Sequence, residues 1–249
     1  MRKLLLATAA LLSLVSTTFA QVNEEKKFNI GITAGGGLGK MLETNTSYEG
    51  KMVGTFHGGV VVDYYLFLYS SIESGLIFQR NGVKYEQDLI SKKVNTNYLE
   101  IPILYNFGST SQNVSFNIQA GIYVGYGIGG KVKFDSKIDD VKIWPNSVYG
   151  SDLLYYTQKE YNELANSQRT NMSDGYHDSS EDIDAFAEDG LKRLDIGWQA
   201  GISLTTSQKF RISFGIKSGF VNLYKDIDYL ESCTAHNFNA YGALTYYLK

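Results

Sequence analysis

Seven ionisable residues stand alone in stretches that otherwise alternate apolar residues with Gly, Ser, Asn and Gln. If those small polar residues line an enclosed interior, each charge needs a partner, because an unpaired buried ion costs several kcal/mol. We therefore predict a salt-bridge network that fills the interior, and weigh it against a proton-conducting path or a catalytic carboxylate pair. The seven residues are His57, Asp63, Glu73, Glu100, Asp195, Arg211 and Lys217. The network is assigned to Glu73, Glu100, Asp195, Arg211 and Lys217.

Other residue types that could perform chemistry do not form a recognisable site. Acyl transfer needs Ser or Cys beside His and an acid, but the histidines are scattered and no Gly-x-Ser-x-Gly occurs. The glycine-rich run 35–39 lacks the Lys-Ser/Thr of a phosphate loop, so we interpret it as a bend at the rim of a barrel. The acidic run 174–184 does not match an EF-hand and is interpreted as a solvated face, with calcium binding left open. The sequence predicts no catalytic residue, no metal site and no cofactor.

The segment that fixes the architecture runs from Val114 to Ile128. Every other residue is apolar, and Ser, Asn, Gln, Gly and one Tyr fill the gaps, so the period of two lasts fifteen residues. Such alternation predicts a strand, and its length exceeds the about five or six residues typical of soluble domains. A membrane-spanning strand needs about 9–11 residues. Because the polar face carries small, uncharged residues, we expect apolar side chains outside and polar ones inside.

Seven further segments show the same alternation, with tight turns and longer connections between them. The sequence therefore predicts an all-β fold, an eight-stranded antiparallel up-and-down transmembrane β-barrel with long extracellular loops and both termini in the periplasm. Pro102 lies within the fourth segment, where we expect a bulge or an unpaired carbonyl. The predicted strands cover residues 28–39, 53–65, 71–80, 97–107, 114–128, 193–205, 210–220 and 236–248.

The first twenty residues are predicted to be a signal peptide. Arg2 and Lys3 precede an apolar run that ends at Thr18-Phe-Ala20, so we expect cleavage before Gln21 and a mature barrel domain over residues 21–249. Removing two basic residues leaves 21 − 26 = −5 as the mature net charge, which gives no indication of nucleic-acid binding. The single cysteine, Cys233, has no partner for an internal disulfide.

Two short motifs resemble the PorT-like outer-membrane β-barrel family. They are Tyr98-Leu-Glu-Ile-Pro102 and Leu194-Asp-Ile-Gly-Trp-Gln-Ala-Gly201, and an aromatic carboxy-terminal strand accompanies them. The resemblance covers about residues 28–249. It implies an eight-stranded barrel, and one namesake of the family is an accessory of a protein secretion system.

Residues 129–192 are predicted to form a long extracellular loop with short helices over about 151–166 and 181–189. Between Lys131 and Lys192 the chain has thirteen acidic and seven basic residues, a balance of 13 − 7 = 6 negative charges. Aromatic side chains of the kind that dominate interfaces make this loop a candidate binding surface, and a lid over the barrel is the alternative. The candidate anchors are Trp144, Tyr149, Tyr155, Tyr156 and Tyr161.

These features predict a monomeric, non-enzymatic protein of the bacterial outer membrane. We expect its partners to be membrane lipid and, through loop 129–192, another envelope or extracellular protein. The alternative function is a PorT-like secretion accessory, and a narrow channel or an outer-membrane enzyme fits the residues less well.

Overall fold

The computed structural model contains eight long strands, and their order along the chain is their order around a barrel. The strands are β1 Phe28–Thr44, β2 Val53–Phe67, β3 Ser70–Glu86, β4 Ile90–Thr110, β5 Val114–Ser136, β6 Leu194–Thr206, β7 Phe210–Gly219 and β8 Thr234–Leu248. The structure describes residues 28–45, 49–67, 70–86, 90–110, 114–136, 142–143, 155–156, 159–160, 177–178, 183–187, 190–206, 209–225 and 233–248. The predicted signal peptide lies outside these ranges.

Every pair of neighbouring strands is antiparallel, and two pairings close the ring. Strand β1 pairs with β8 over Ile30↔Leu248 to Thr44↔Thr234, and β5 pairs with β6 over Val114↔Thr206 to Tyr126↔Leu194. All eight strands therefore have two neighbours, so the sheet has no open edge. The predicted eight-stranded antiparallel barrel is confirmed.

The two faces of each strand follow the predicted alternation. Large apolar side chains such as Ile103, Ile118 and Phe214 are exposed on the outer face, whereas Glu100, Gln119 and other polar residues are buried inside. This arrangement inverts that of a soluble protein and fits a barrel surrounded by hydrocarbon. In the part of the chain that the structure describes, no helix is long and apolar enough to cross a membrane.

Strands β3, β4 and β5 are longer than predicted, with 17, 21 and 23 residues. The predicted loop over residues 81–95 is wrong, since only 87–89 separate β3 from β4, and the predicted loop 129–192 begins after Ser136. The reason lies in side-chain polarity. Within the membrane, β4 has a charged residue, Glu100, on its inner face and an apolar residue, Ile101, on its outer face. Further along β4 the apolar Val94 faces inward and the charged Lys93 faces outward. The lysines and asparagines of that outer face resemble a loop in sequence.

In β4 the same set of alternate residues faces inward throughout, whereas in β5 a bulge in the β4–β5 ladder turns the other set inward. Asn97 pairs with Gly129 and Tyr98 with Gly127, so Ile128 is the extra residue. Because one inserted residue shifts the alternation by one position, the residues beyond the bulge that face inward are Val132 and Phe134.

The inward apolar residues of these extensions form a buried cluster, which we call the apolar plug. Residues near the end of the β5–β6 connection, from the segment before β8, and from β1 and β8 complete it. Its members are Met41, Val83, Tyr85, Ile90, Val94, Tyr98, Val132, Phe134, Ala185, Phe186, Leu191, Leu223, Tyr224 and Ala235.

Part of the apolar plug comes from a segment that was predicted to be helical. Residues Ile183–Asp184 form a two-residue strand on β5, and Ala185–Phe186 form a turn in which the Asp184 carboxylate accepts a bond of 2.9 Å from the Phe186 amide. The predicted helix over 181–189 is therefore wrong. An aspartate that bonds the backbone two residues on favours a turn over a helix.

Of two local predictions inside the barrel, the one for the glycine-rich run is wrong, and for Pro102 the structure has no bulge but a gap in the ladder. The run 35–39 is not a rim bend but the middle of β1, paired on both sides. A Cβ added at Gly37 would lie 2.8 Å from Tyr241 Cα, so the absence of a side chain permits close strand packing. At Pro102 the β3–β4 ladder breaks between Ser74↔Ile103 and Ile77↔Glu100 without a change of register, because proline has no N–H to donate.

Candidate functional site

The first ion-pair layer of the interior is centred on Arg211. Its guanidinium donates to Asp63, with Nη2 2.6 Å from Oδ2, and also pairs with Glu73 from the neighbouring strand. The Tyr247 hydroxyl donates to the same Asp63 oxygen at 2.6 Å, and the Tyr247 ring lies 5.1 Å from the guanidinium carbon. Strand β7 thus supplies the cation, and the consecutive strands β2 and β3, which pair Asp63 directly with Glu73, supply its two carboxylates.

A second layer lies three inward positions further along both β3 and β7. Lys217 Nζ lies 2.5 Å from Glu100 Oε2 and 2.9 Å from Gln79 Oε1, and both partners are buried. The face of the Tyr123 ring lies 5.3 Å from the same ammonium group. This cation therefore has a carboxylate, an amide oxygen and an aromatic face around it, which together replace water.

Asp195 occupies a different environment from the other predicted network residues. Its Oδ2 accepts bonds from Asn237 Nδ2 at 2.8 Å and from Tyr123 OH at 3.3 Å. Among the described residues Asp195 forms no ion pair. The prediction grouped Asp195 with the other charges, but the structure places neutral donors beside it.

A small polar cavity separates the two ion-pair layers. It has a volume of about 50 Å³ and its lining includes His57, Gln119, Gln199 and Tyr241. The Tyr241 hydroxyl accepts a bond of 2.7 Å from Gln199, and the Tyr241 ring meets His57 edge to face at 5.4 Å. Ligand pockets usually occupy about 300–1,000 Å³, so this space suits a few water molecules and not an organic ligand.

The apolar plug closes the interior beyond the second layer. Phe186 packs edge to face on Tyr98 at 5.7 Å between ring centroids, and the Arg193 guanidinium lies 4.9 Å from the Phe186 centroid. Beside them Glu43 accepts bonds from the hydroxyls of Tyr85, at 2.6 Å, and Tyr224. Burial, followed by the charge of Glu43, raises the pKa of the Tyr224 phenol well above its usual value, so this hydroxyl remains a donor.

The loop residues predicted as binding anchors lie mostly outside the described part of the chain. Trp144, Tyr149 and Tyr161 are among the residues the structure does not describe, as is most of the acidic run 174–184. Within the predicted helix over about 151–166, Tyr155–Tyr156 instead form a two-residue strand that pairs with Lys142–Ile143, which also pairs with His177–Asp178. Lys159–Glu160 are helical, and the other residues of that range lie outside the described part of the chain. Among the described residues no group of His, Cys, Asp and Glu could hold a metal ion.

Comparison with known proteins identifies the family. A sequence model described as "Outer membrane protein beta-barrel domain" matches residues 19–225, most of the chain. The chain belongs to this outer-membrane β-barrel family. The match agrees with the closed ring, the apolar outer face and the charged interior, and it makes the protein an integral protein of the bacterial outer membrane.

Three solved structures of low sequence identity resemble this chain over most of its length. Ail of Yersinia pestis, determined in complex with the heparin analogue sucrose octasulfate, is 12% identical with a TM-score of 0.40, covering 89% of this chain and 99% of Ail. OprG of Pseudomonas aeruginosa is 8% identical with a TM-score of 0.40, covering 92% and 99%. Neisserial surface protein A is 8% identical with a TM-score of 0.40, covering 87% and 96%. No curated protein sequence matches the chain.

Sequence reasoning missed several residues that shape the interior of this outer-membrane barrel. Gln79 and Tyr247 contact the two buried cations, and the apolar plug was not anticipated at all. The period of two could have located Tyr247, which follows the outward Tyr246, and the alternating pairs Val83/Tyr85 and Val132/Phe134 were the signal for the plug. This signal was missed because the apolar residues of these pairs face inward, whereas the apolar residues of the strands within the membrane face outward.

Proposed function

We propose that this outer-membrane barrel is a closed, non-enzymatic scaffold that holds a binding surface at one end. The observation that supports this is the filled interior. Among the described residues, two ion-pair layers and the apolar plug fill the interior, and the polar cavity between the layers has a volume of only about 50 Å³. The large surface that remains is the end that carries the long β5–β6 connection.

The proposal places that end outside the cell. Residues 68–69, 111–113 and 207–209 connect strands at one end of the barrel, where the chain also enters at Phe28 and leaves at Leu248. The other end carries residues 137–193 and 220–233. Outer-membrane barrels have short periplasmic turns and longer extracellular loops, so both termini are periplasmic in this proposal.

Single-cysteine labelling tests the orientation. In a Cys233→Ser background, Glu49→Cys lies at the end with the long connections and Ser109→Cys lies at the opposite end, and both side chains are exposed. A membrane-impermeant maleimide should label Glu49→Cys in intact cells, and Ser109→Cys after the cells are permeabilised. The reverse result would place the long connections in the periplasm and overturn the proposed binding surface.

The small sheet in the β5–β6 connection, formed by Lys142–Ile143, Tyr155–Tyr156 and His177–Asp178, allows the proposed binding surface to be removed without changing the barrel strands. Ile143 pairs directly with His177, so residues 144–176 can be replaced by Asn-Gly, which joins two paired strands through a type I′ turn. The replacement removes all five predicted anchors and keeps the barrel strands. We expect an inserted barrel whose mobility on gels changes on boiling, because the apolar plug and both ion-pair layers remain.

Crosslinking in living cells followed by mass spectrometry then tests binding. The parent chain should form specific crosslinks with an envelope or extracellular protein, and the replaced variant should lose them. Crosslinks that are unchanged in a correctly inserted variant would assign binding to another surface. Partners drawn from a protein secretion system would favour the accessory role that the PorT-like motifs imply.

Conductance measurements test the closed interior separately. The purified barrel in a planar bilayer should show no stepwise ion currents, and the 144–176 replacement should be equally silent, since closure depends on residues inside the barrel. Reproducible single-channel steps from the parent chain would contradict the scaffold proposal and favour a narrow channel.

A further inference from the structure

Four lysines form a row across neighbouring strands on the outer face of the barrel, near the end with the long connections. Lys84 of β3 lies directly opposite Lys93 of β4, and Lys93 lies directly opposite Lys133 of β5. On the other side Lys51 forms an isolated bridge with Lys84, with an N···O distance of 2.7 Å from Lys51 N to Lys84 O. With strands about 4.8 Å apart, the row is about 14 Å long. We call these four residues the lysine row.

The lysine row brings like charges together on one face of the sheet. Like charges directly opposite each other on a sheet are destabilising, and here three such pairs follow in sequence. Glu86 offsets part of the repulsion by pairing with Lys51 and with Lys84, the latter at 2.6 Å. Hydrogen bonds from Lys51 and Lys84 lower the pKa of Glu86 to about 2, so this carboxylate stays charged.

The surrounding outer face keeps an excess of positive charge. Arg80 lies below the lysine row and Lys131 beside it, and Asp135 and Asp184 are the acidic neighbours on and next to β5. Six basic and three acidic residues give 6 − 3 = 3 positive charges. The six are Arg80, Lys51, Lys84, Lys93, Lys131 and Lys133, and the three are Glu86, Asp135 and Asp184.

The height of the lysine row indicates what kind of molecule could reach it. On β4 the last outward apolar residue before the lysine row is Leu99, which lies opposite Phe78 and Tyr126. Lys93 lies six residues beyond Leu99, about 20 Å along the strand, or about 15 Å above the hydrocarbon at a tilt of 35–45°. The headgroup region of a phospholipid layer is only about 5–8 Å thick on each side, so its phosphates would lie below Lys93.

The direction in which the lysine side chains point further restricts the kind of partner that could bind them. Its side chains project sideways from the barrel wall, parallel to the membrane, since Val83, Val94 and Val132 occupy the alternate inward positions. They therefore face the layer in which the headgroups of neighbouring glycolipids stand. Lysine ammonium groups act as point charges for phosphate, and several of them spaced along a line suit a headgroup with several phosphates.

We propose that the lysine row binds the phosphorylated saccharide headgroup of a glycolipid in the outer leaflet of the same membrane. This inference rests on the proposed orientation, which puts the strand extensions outside the cell, but it does not need the 144–176 segment. The row would anchor the barrel laterally among its glycolipids, while the loop remains available for a protein partner.

Binding of purified lipopolysaccharide to the full-length barrel tests the proposal. The variant Lys93→Gln/Lys133→Gln removes the far half of the row, and Lys40→Gln/Lys209→Gln removes the same charge elsewhere. At about 1 kcal/mol per lysine, the first variant should bind phosphorylated lipopolysaccharide about 30-fold more weakly, and the second should match the parent. Raising the salt concentration should weaken the parent's binding, because exposed charges are screened. Lys93→Arg/Lys133→Arg should retain binding, and this result would show that positive charge is the property required.

Three further arms decide the source of the phosphate and the independence from the loop. Enzymatically dephosphorylated lipopolysaccharide should bind the parent as weakly as phosphorylated lipopolysaccharide binds the glutamine variant. Soluble dextran sulfate should compete poorly, and a preference for it over the glycolipid would overturn the choice of partner. The 144–176 replacement should keep glycolipid binding while it loses protein crosslinks, so the two proposals can fail separately. Equal glycolipid binding by the parent and the Lys93→Gln/Lys133→Gln variant would refute the proposal.

Discussion

Removing Glu100 tests whether the interior is held together by its charges. Glu100 and Lys217 expose only 4% and 6% of their side chains, and their charged atoms lie 2.5 Å apart. The substitution Glu100→Ala leaves the Lys217 ammonium buried without its carboxylate. Breaking a buried ion pair from one side costs about 3–5 kcal/mol. Because Gln79 at 2.9 Å and the Tyr123 ring at 5.3 Å remain, we expect a loss near 3 kcal/mol in the free energy of unfolding.

A double-mutant cycle separates this ion pair from the loss of packing. Lys217→Met alone strands the Glu100 carboxylate and should cost a similar amount. Removing both charges leaves neither ion uncompensated, so the double variant should cost less than the sum of the two single losses by about 1.5–3 kcal/mol.

The unfolding assay can use a single fluorescent reporter. The chain has two tryptophans, and replacing residues 144–176 removes Trp144, which leaves Trp198 on the outer face of β6. Urea unfolding from lipid vesicles should shift Trp198 fluorescence as this side chain moves from hydrocarbon to water. Gel mobility with and without boiling provides the independent measure of the folded fraction.

Two results would refute the reasoning about this pair. An unchanged unfolding midpoint for Glu100→Ala would show that Lys217 is adequately solvated without its carboxylate. Strict additivity in the cycle would show that the two side chains contribute independently and that their short distance has no energetic consequence.

Three further substitutions test the close packing and the apolar plug. Gly37→Val should destabilise the barrel by about 1–3 kcal/mol or prevent insertion, whereas Gly54→Val should fold normally because a Cβ at Gly54 meets open space. Equal behaviour of the two variants in a folding assay would contradict the packing argument. Phe186→Ala should lower the free energy of unfolding by about 3–5 kcal/mol because Phe186 is buried in the apolar plug, whereas Phe214→Ala on the outer face should lower it less because lipid can fill the space. Equal losses in urea unfolding would show that the apolar plug has no structural role. Tyr224→Phe should cost about 1.5–3 kcal/mol through the lost bond to a carboxylate, and a thermal unfolding midpoint equal to that of the parent would disprove it.

The sequence by itself determined the barrel and the inward positions of its charges. A strand periodicity of two assigns each residue to one face as soon as one residue is assigned, so Glu73, Glu100, Arg211 and Lys217 could be placed inside without knowing any distance. Membrane insertion strengthens this inference, because hydrocarbon requires an apolar outer face and leaves only the interior for charged side chains.

Only the tertiary structure decided which charges meet and where the barrel ends. The pairing of Arg211 with Asp63 and of Lys217 with Gln79 depends on the stagger and curvature of the closed sheet, which bring β7 across the interior from β2 and β3. The extensions of β3, β4 and β5 beyond the membrane were not predicted, for a related reason. Above the membrane the outer face meets water and the inner face packs against itself, so polarity reverses while the strand continues, and a bulge at Ile128 shifts the faces by one residue. Alternation reports which residues share a face, but only the folded environment determines which of the two faces is buried in protein.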